Sequence, residues 1–476
     1  MSEAAAAAVP GVMSARAARL VALLVAATFF MEYLDGSVLA TALPAIGRDF
    51  QVGPVSLGIG ISAYLLTLAV FIPVSGWVAD RYGTRSVFIS AIAIFTAASI
   101  LCAASPGLWP FVASRVLQGV GGALMVPVGR LVVLRTTEKA NLVQAISLLT
   151  WPALTAPILG PPVGGFLVAY ATWHWIFLIN VPVGIAAIVL ARRWMPNLQS
   201  GERRPFDWPG FALTGAALAC FMEGLELLGQ PGLPWWTAGG LLAFSIAVGV
   251  VAVRHAGRAK YPMLDLTTMR IPTFAASQWA GTVFRTCIST APFLLPLMFQ
   301  VGFGLDALHA GLLMLAVYCG NLGMKFATVW ILRTFGHRTA GLATAVLAAL
   351  AMLACAALYP STSYALLLPV LALGGLTRSM QFTILQTLSY ADVPPARMSA
   401  ASSLSSVSVQ VSMGMGVALG AALLHVVAGL DGRSAATLPD FHLTFVLVAA
   451  LSTLGIPLIW RLPRDAGAAI SGFRGP

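Results

Sequence analysis

Apolar stretches of span length, separated by short charged or Pro/Gly-rich breaks, recur from Leu20 to Trp460 and leave this chain few folds to choose from. A helix needs about 20 predominantly apolar residues to cross roughly 30 Å of hydrocarbon, where only an internally hydrogen-bonded backbone is tolerated. With 59% hydrophobic and only 9% charged residues, and a mean hydropathy of +0.88, the chain has too little polar surface for a soluble globule. It reads as an all-α polytopic membrane protein. The breaks predict spans near 20–43, 57–79, 86–104, 109–129, 141–169, 174–191, 208–229, 233–253, 272–300, 307–332, 339–359, 364–389, 399–429 and 441–460, fourteen in all.

Charge tests that division independently, because cytoplasmic connections carry an excess of Lys and Arg. Twenty-one of the 27 basic residues fall in one alternate set of connections or in the termini, among them Arg81, Arg85, Arg130, Arg135 and Lys139. Arg48 and Arg433 fall in the other set, while Arg115, Arg285, Lys325 and Arg378 lie inside spans. Both termini are expected in the cytoplasm, with residues 1–19 as a retained tail, since no cleavable signal pattern opens the chain. The net charge of +11 follows from this topology and from anionic headgroups, so nucleic acid is not expected as a partner.

Other chemistries find little support. The five cysteines sit in apolar runs without CxxC spacing, which implies neither a disulfide nor a metal site. The six histidines are dispersed, with no catalytic or metal cluster, and no GxxxxGK[ST] run is present to bind ATP. The chain is expected to be no enzyme and to need no cofactor.

An internal repeat appears when Gly83 is laid on Gly336. Trp77-Val-Ala-Asp80-Arg81-Tyr82-Gly83-Thr84-Arg85 then faces Trp330-Ile-Leu-Arg333-Thr334-Phe335-Gly336-His337-Arg338. The match implies two six-helix halves, 20–191 and 272–460, related by a pseudo-two-fold axis. Its long offset leaves room for two inserted spans in 208–253, between a basic connector at 192–207 and a linker at 254–271, with a tail at 461–476.

The Gly76–Arg85 segment resembles the signature loop of the major facilitator superfamily. Further segments are similar to its fourteen-span drug:proton antiporter branch: Leu34-Asp35-Gly-Ser37-Val-Leu-Ala40-Thr-Ala-Leu-Pro44 in span 1, Arg115-Val-Leu-Gln118-Gly119-Val-Gly121-Gly122 in span 4, Gly160-Pro161-Pro162-Val-Gly164-Gly165 in span 5, and Trp173-His-Trp175-Ile-Phe-Leu-Ile-Asn180 opening span 6. Ser37 and Ala40 depart from the branch's usual threonine and asparagine. The resemblance implies a proton-driven efflux transporter of the bacterial inner membrane, exporting amphipathic drug-like molecules, with protons and lipid as its other partners.

Asp35 lies about 24 Å along a helix from Arg19, within the membrane, where a carboxylate is costly and marks function. It can take up and release a proton, and Glu32 shares nearly the same helix face. Arg115 can gate that exchange by approaching or leaving Asp35, with Gln118 holding its guanidinium or lining the substrate cavity. By resemblance, Gly76, Asp80, Arg81, Gly83 and Arg85 form a cytoplasmic gate. The same resemblance makes Gly160, Pro161, Gly164 and Gly165 an antiporter hinge against the other half. Arg285 and Arg378 lie near mid-membrane and should pair internally, with Glu32, Asp35, Glu223 or Glu226 as candidates, or attract an anionic substrate. Gln386 and Gln410 are further cavity candidates, Lys325 is expected to snorkel, and Trp109, Trp173, Trp175, Trp235 and Trp236 read as an aromatic belt. Two rivals stand beside the drug reading: export of small organic anions or metal chelates through Arg285 and Arg378, and a non-transporting sensor or scaffold.

Overall fold

A computed structural model describes residues 13–52, 54–199, 204–228, 235–430 and 436–473. Arg203, Arg433, Arg474 and the first twelve residues of the N-terminal tail lie outside them, as do the side chains of Ala40, Pro161 and Trp235. No strand occurs among the described residues.

The first half holds α1 (Ala15–Phe50), α2 (Pro54–Phe71) continued by α3 (Ser75–Tyr82), α4 (Thr84–Ala103), α5 (Leu108–Thr136), α6 (Leu142–Tyr170), and α7 (His174–Leu178) with α8 (Asn180–Trp194). The inserted pair is α9 (Trp208–Leu228) and α10 (Trp235–Arg258). The second half holds α11 (Pro272–Ile288) with α12 (Ala291–Leu297), α13 (Ala307–Cys355), α14 (Tyr364–Ala391), α15 (Met398–Leu430), and α16 (Leu438–Ser452) with α17 (Ile456–Trp460), followed by the short α18 (Ala468–Ser471). Among the described residues, twelve helices are long and apolar enough to cross a membrane.

Gly336 breaks α13 in two with φ 71° and ψ 168°, and Gly83 separates α3 from α4 with φ 88° and ψ 142°. Both need a backbone conformation that side chains disfavour, which explains why the repeat keeps glycine there. The copies also share an aromatic clasp: Trp77 meets Tyr82 edge to face at 6.1 Å, and Trp330 meets Phe335 at 6.0 Å. The pseudo-symmetry is therefore visible in side-chain packing as well as in chain order.

The two halves join at the Gly83 end. One buried apolar cluster there combines Val21, Phe88 and Val132 of the first half with Phe274, Tyr390 and Met398 of the second. At the opposite end the clusters are separate, one around Leu39 and Phe111, the other around Phe299 and Phe441. The inserted helix α9 lies across the seam between α2 and α15. Phe211 packs on Phe71 at 5.7 Å, Ser62 Oγ donates to Glu226 Oε1 at 2.5 Å, and Met222 and Leu225 press toward Gly414. Asp207 anchors the pair to its flanking segments by accepting from the Gly210 and Met263 amides at 2.9 and 3.0 Å and meeting His255 Nε2 at 2.8 Å. Burial alone would raise the Asp207 carboxyl, but these partners outweigh it and hold the group below its usual range.

Two sequence expectations change here. Trp173 is buried at 5% exposure and donates Nε1 to Asp49 Oδ2 at 3.1 Å, so it is an interior residue and no part of an aromatic belt. Trp109, Trp175 and Trp236 are exposed, as belt residues would be. Lys325 does not snorkel outward; its Nζ donates to Thr150 Oγ1 at 2.7 Å and Thr383 Oγ1 at 2.8 Å, linking α13 to α6 across the halves.

Candidate functional site

Asp35 is 1% exposed and sits in a closed polar box made by four helices. Its Oδ2 accepts from Arg115 Nη1 at 2.7 Å; its Oδ1 accepts from Gln118 Nε2 at 2.9 Å and Asn180 Nδ2 at 2.8 Å. Gln118 Oε1 in turn accepts from Arg115 Nη1 at 2.5 Å, and Ser99 Oγ accepts from both Gln118 and Asn180 at 3.0 and 3.2 Å. The spacing explains part of this: Arg115 and Gln118, three apart on α5, project from one face toward α1. The guanidinium also lies 4.4 Å from the centroid of the Tyr64 ring, a π-face that favours a desolvated cation.

A buried ion pair recovers its desolvation cost only when its remaining polar atoms are also bonded. Both Asp35 oxygens are engaged, while Arg115 Nε has no partner. Glu32, one turn before Asp35, is 8% exposed with an unpartnered Oε2 and lies beside Tyr64 over the Cα of Gly122. The site thus contains one carboxylate held by a cation and two amides, and a second carboxyl without a cation.

Gln118 is fully buried inside this box, so of the two roles the sequence offers it holds the Arg115 guanidinium and does not line an open cavity. Asn180 and Ser99 escaped the sequence reading as site residues. Asn180 was visible only as part of a motif, 145 residues from its partner, and Ser99 carried no signal at all.

At the Gly83 end, Gly76 meets the second half directly. Ser399 Oγ donates to the Gly76 carbonyl at 3.1 Å, and Ser75 and Ser403 hydroxyls lie 3.2 Å apart. A Cβ on Gly76 would stand 2.9 Å from Ser399 Oγ and 3.2 Å from its carbonyl oxygen, so only glycine allows this approach. Asp80 instead pairs within its own half, accepting from Arg135 Nη2 at 3.2 Å, and Arg81 rests 5.9 Å from the Trp77 ring. Gly83 and Arg85 face the connector, where the Arg85 amide donates to Asn197 Oδ1 at 3.1 Å. At this loop the contact with the second half therefore runs through Gly76 and the serines of α15, and the charged residues brace the first half.

Gly76→Val is expected to disfavour this seam by about 1–3 kcal/mol through overpacking. A cysteine placed at Ser403 should then label at least several-fold faster from the Gly83 end, and unchanged labelling would locate the closure elsewhere.

Gly160 and Gly164 of the antiporter motif face α1, not the other half. A Cβ on Gly160 would meet the Ser37 backbone carbon at 3.0 Å, and one on Gly164 the Val38 carbonyl at 3.0 Å. Ser37 Oγ donates to the Ala156 carbonyl at 3.0 Å, pinning the two helices just beyond Asp35. Gly165 has open space around its Cα, and α6 passes through Pro161 without a break. The motif's observed contact is thus support for the helix that carries Asp35.

In the second half, the expected internal ion pairs are absent among the described residues. Arg285, 3% exposed, donates Nη2 to Ser408 Oγ at 2.9 Å, and its Nε has no partner. Arg378 lies beside Tyr318 without an acid at ion-pair distance. Glu226 is held by Ser62, and Asp35 by Arg115, so neither is free to serve them. Gln386 is 2% exposed with an unpartnered Nε2, and Gln410 is half-buried on α15. Arg130, assigned to a loop by the charge count, lies inside α5 and donates to Ser406 Oγ of α15 at 3.3 Å.

The chain has known relatives in sequence and in fold. A model of the Major Facilitator Superfamily matches residues 25–416 and 279–474. The chain is 38% identical over 446 residues to the "Putative multidrug resistance protein MdtD" of Salmonella paratyphi A, covering 93% of this chain and 94% of that one. Among solved structures it is similar to the human organic anion transporter MFSD10, with TM-score 0.67 and 14% identity over 93% of this chain and 99% of that one. It is also similar to the proton:xylose symporter XylE, with TM-score 0.66 and 12% identity over 96% and 98% of the two chains.

Proposed function

Because this chain belongs to the major facilitator superfamily of membrane transporters, we propose that it is a proton-coupled secondary active exporter of amphipathic drug-like molecules in the bacterial inner membrane. The observation that carries the coupling is the buried box around Asp35. With α1 and α5 together, Arg115, Gln118 and Asn180 hold both oxygens of the carboxyl group. When the helices part, Asp35 loses its cation and accepts a proton, with Glu32 beside it as a second exchangeable carboxyl. Proton occupancy and conformation are then linked, which an antiporter requires.

The joined core at the Gly83 end and the separate cores at the other support a closed cytoplasmic side, with the halves rocking about a midplane cavity. This reading takes fourteen crossings, both termini in the cytoplasm: the twelve helices above, with α13 counted as two at Gly336, and α6. The drug-like substrate class follows the name of the Salmonella relative.

A second reading, export of small organic anions or metal chelates, is favoured by Arg285 and Arg378, which have no acid partner among the described residues. Proton release from everted vesicles, with cationic dyes, neutral drugs and organic acids added in turn, separates the two. A response to cations or neutral compounds supports the first. A response confined to organic acids supports the second, and Arg285→Gln should then weaken that response at least about tenfold, as expected for loss of a charge-assisted contact. Absence of any substrate-dependent proton movement or flux would leave a sensor or scaffold.

A further inference from the structure

The seams between the halves are unequal. One, between α2 and α15, is covered by α9. The other, between α6 and α13, opens into a groove of about 680 Å³ that also takes in the start of α1. Arg16 and Arg19 stand exposed at its outer end, and Lys325 lines its inner end. Among the described residues none of these three is in an ion pair, and Glu138 is the only acid lining the groove. Ser147, 9% exposed, also lines it, and its hydroxyl has no partner. Trp151 at 46% exposure and Phe326 at 85% supply apolar walls at the open side.

We propose that this groove binds an anionic glycerophospholipid. Arg16 and Arg19 hold the phosphate, Ser147 donates to the headgroup or ester region, and an acyl chain lies along Trp151 and Phe326. Three points select this occupant. The cations sit where α1 enters the membrane, the level of the phosphates. The walls are apolar and exposed where lipid tails would run. The three cations outnumber the one acid of the lining, Glu138, and none of them is ion-paired among the described residues, a deficit that a zwitterionic headgroup fills less well than an anionic one. Because Lys325 spans α13 and α6 beside the groove, bound lipid braces the two halves in their joined form.

The test is thermal unfolding of the full chain in detergent, titrated with phosphatidylglycerol or phosphatidylcholine of matched chains. Phosphatidylglycerol should give a saturable rise in Tm that phosphatidylcholine does not. Arg16→Gln with Arg19→Gln should weaken that response at least about tenfold, given roughly 1 kcal/mol per surface cation, while leaving the Tm without added lipid unchanged. Ser147→Leu, which fills the groove, should weaken it independently. Equal responses to the two lipids, or an undiminished response in both variants, would overturn the proposal. So would equal protection by inorganic phosphate, which would mark a small-anion site, or displacement of phosphatidylglycerol by a cationic dye, which would mark a substrate path. None of these readouts depends on proton coupling, so failure here leaves the exporter reading intact.

Discussion

Asp35→Asn is expected to reduce gradient-driven efflux to background while the protein still reaches the membrane and still binds substrate. Asparagine keeps the size of the side chain and one acceptor, so part of the bonding to Gln118 and Asn180 survives. Arg115 loses its counter-ion but keeps Gln118 Oε1 and the Tyr64 face. What disappears is the acid that Arg115 holds; Glu32 beside it has no cation to tie its proton to the movement of α5. Asp35→Glu should retain partial coupling, because it keeps the acid at slightly altered reach. Reconstituted vesicles with an imposed pH gradient, compared with substrate exchange in its absence, separate coupling from folding. Full efflux by the asparagine variant would remove Asp35 from the mechanism, and loss of exchange as well would make its role structural.

The second large effect concerns stability. Arg115→Gln leaves a fully buried carboxylate without its cation, and breaking one side of a buried pair typically costs about 3–5 kcal/mol. A fall of many degrees in Tm, or loss of the protein from the membrane, is the expected result. The double variant Asp35→Asn with Arg115→Gln removes both charges and leaves two amides able to bond to each other and to Asn180. It should regain most of the lost stability without regaining transport. Additive losses in the double variant would show that the two residues do not act as a pair, contrary to the 2.7 Å contact.

Much of this arrangement is legible in the sequence because membrane solvent punishes exceptions. Span positions follow from hydropathy, and the need for glycine at 83 and 336 from a backbone turn that other residues resist. Asp35 and Arg115 stand out because charge within a span demands a reason. Polar neighbours carry no such penalty signal: Ser99 is indistinguishable from any helix-packing serine, and Asn180 reaches Asp35 only through the fold. Charge counting also misreads helix ends. Arg130 looks like a loop residue after an apolar run, yet α5 continues to Thr136 and carries it to α15. Asp80 is a different case, since a motif gives neighbours in sequence and not the partner across space, which here is Arg135 of the same half.

The inserted pair has a mechanical consequence. Helix α9 touches both α2 and α15, so any rocking of the halves must shear one of those two contacts. Toward α2 it holds an aromatic pair and the Ser62 to Glu226 hydrogen bond; toward α15 it offers the side chains of Met222 and Leu225 against Gly414. The first is directional and resists displacement, whereas a flexible thioether against a glycine surface can slip and repack. The pair should therefore ride as a fixed keel on the first half while the second half glides past it, so that the flank stays sealed to the bilayer throughout the stroke.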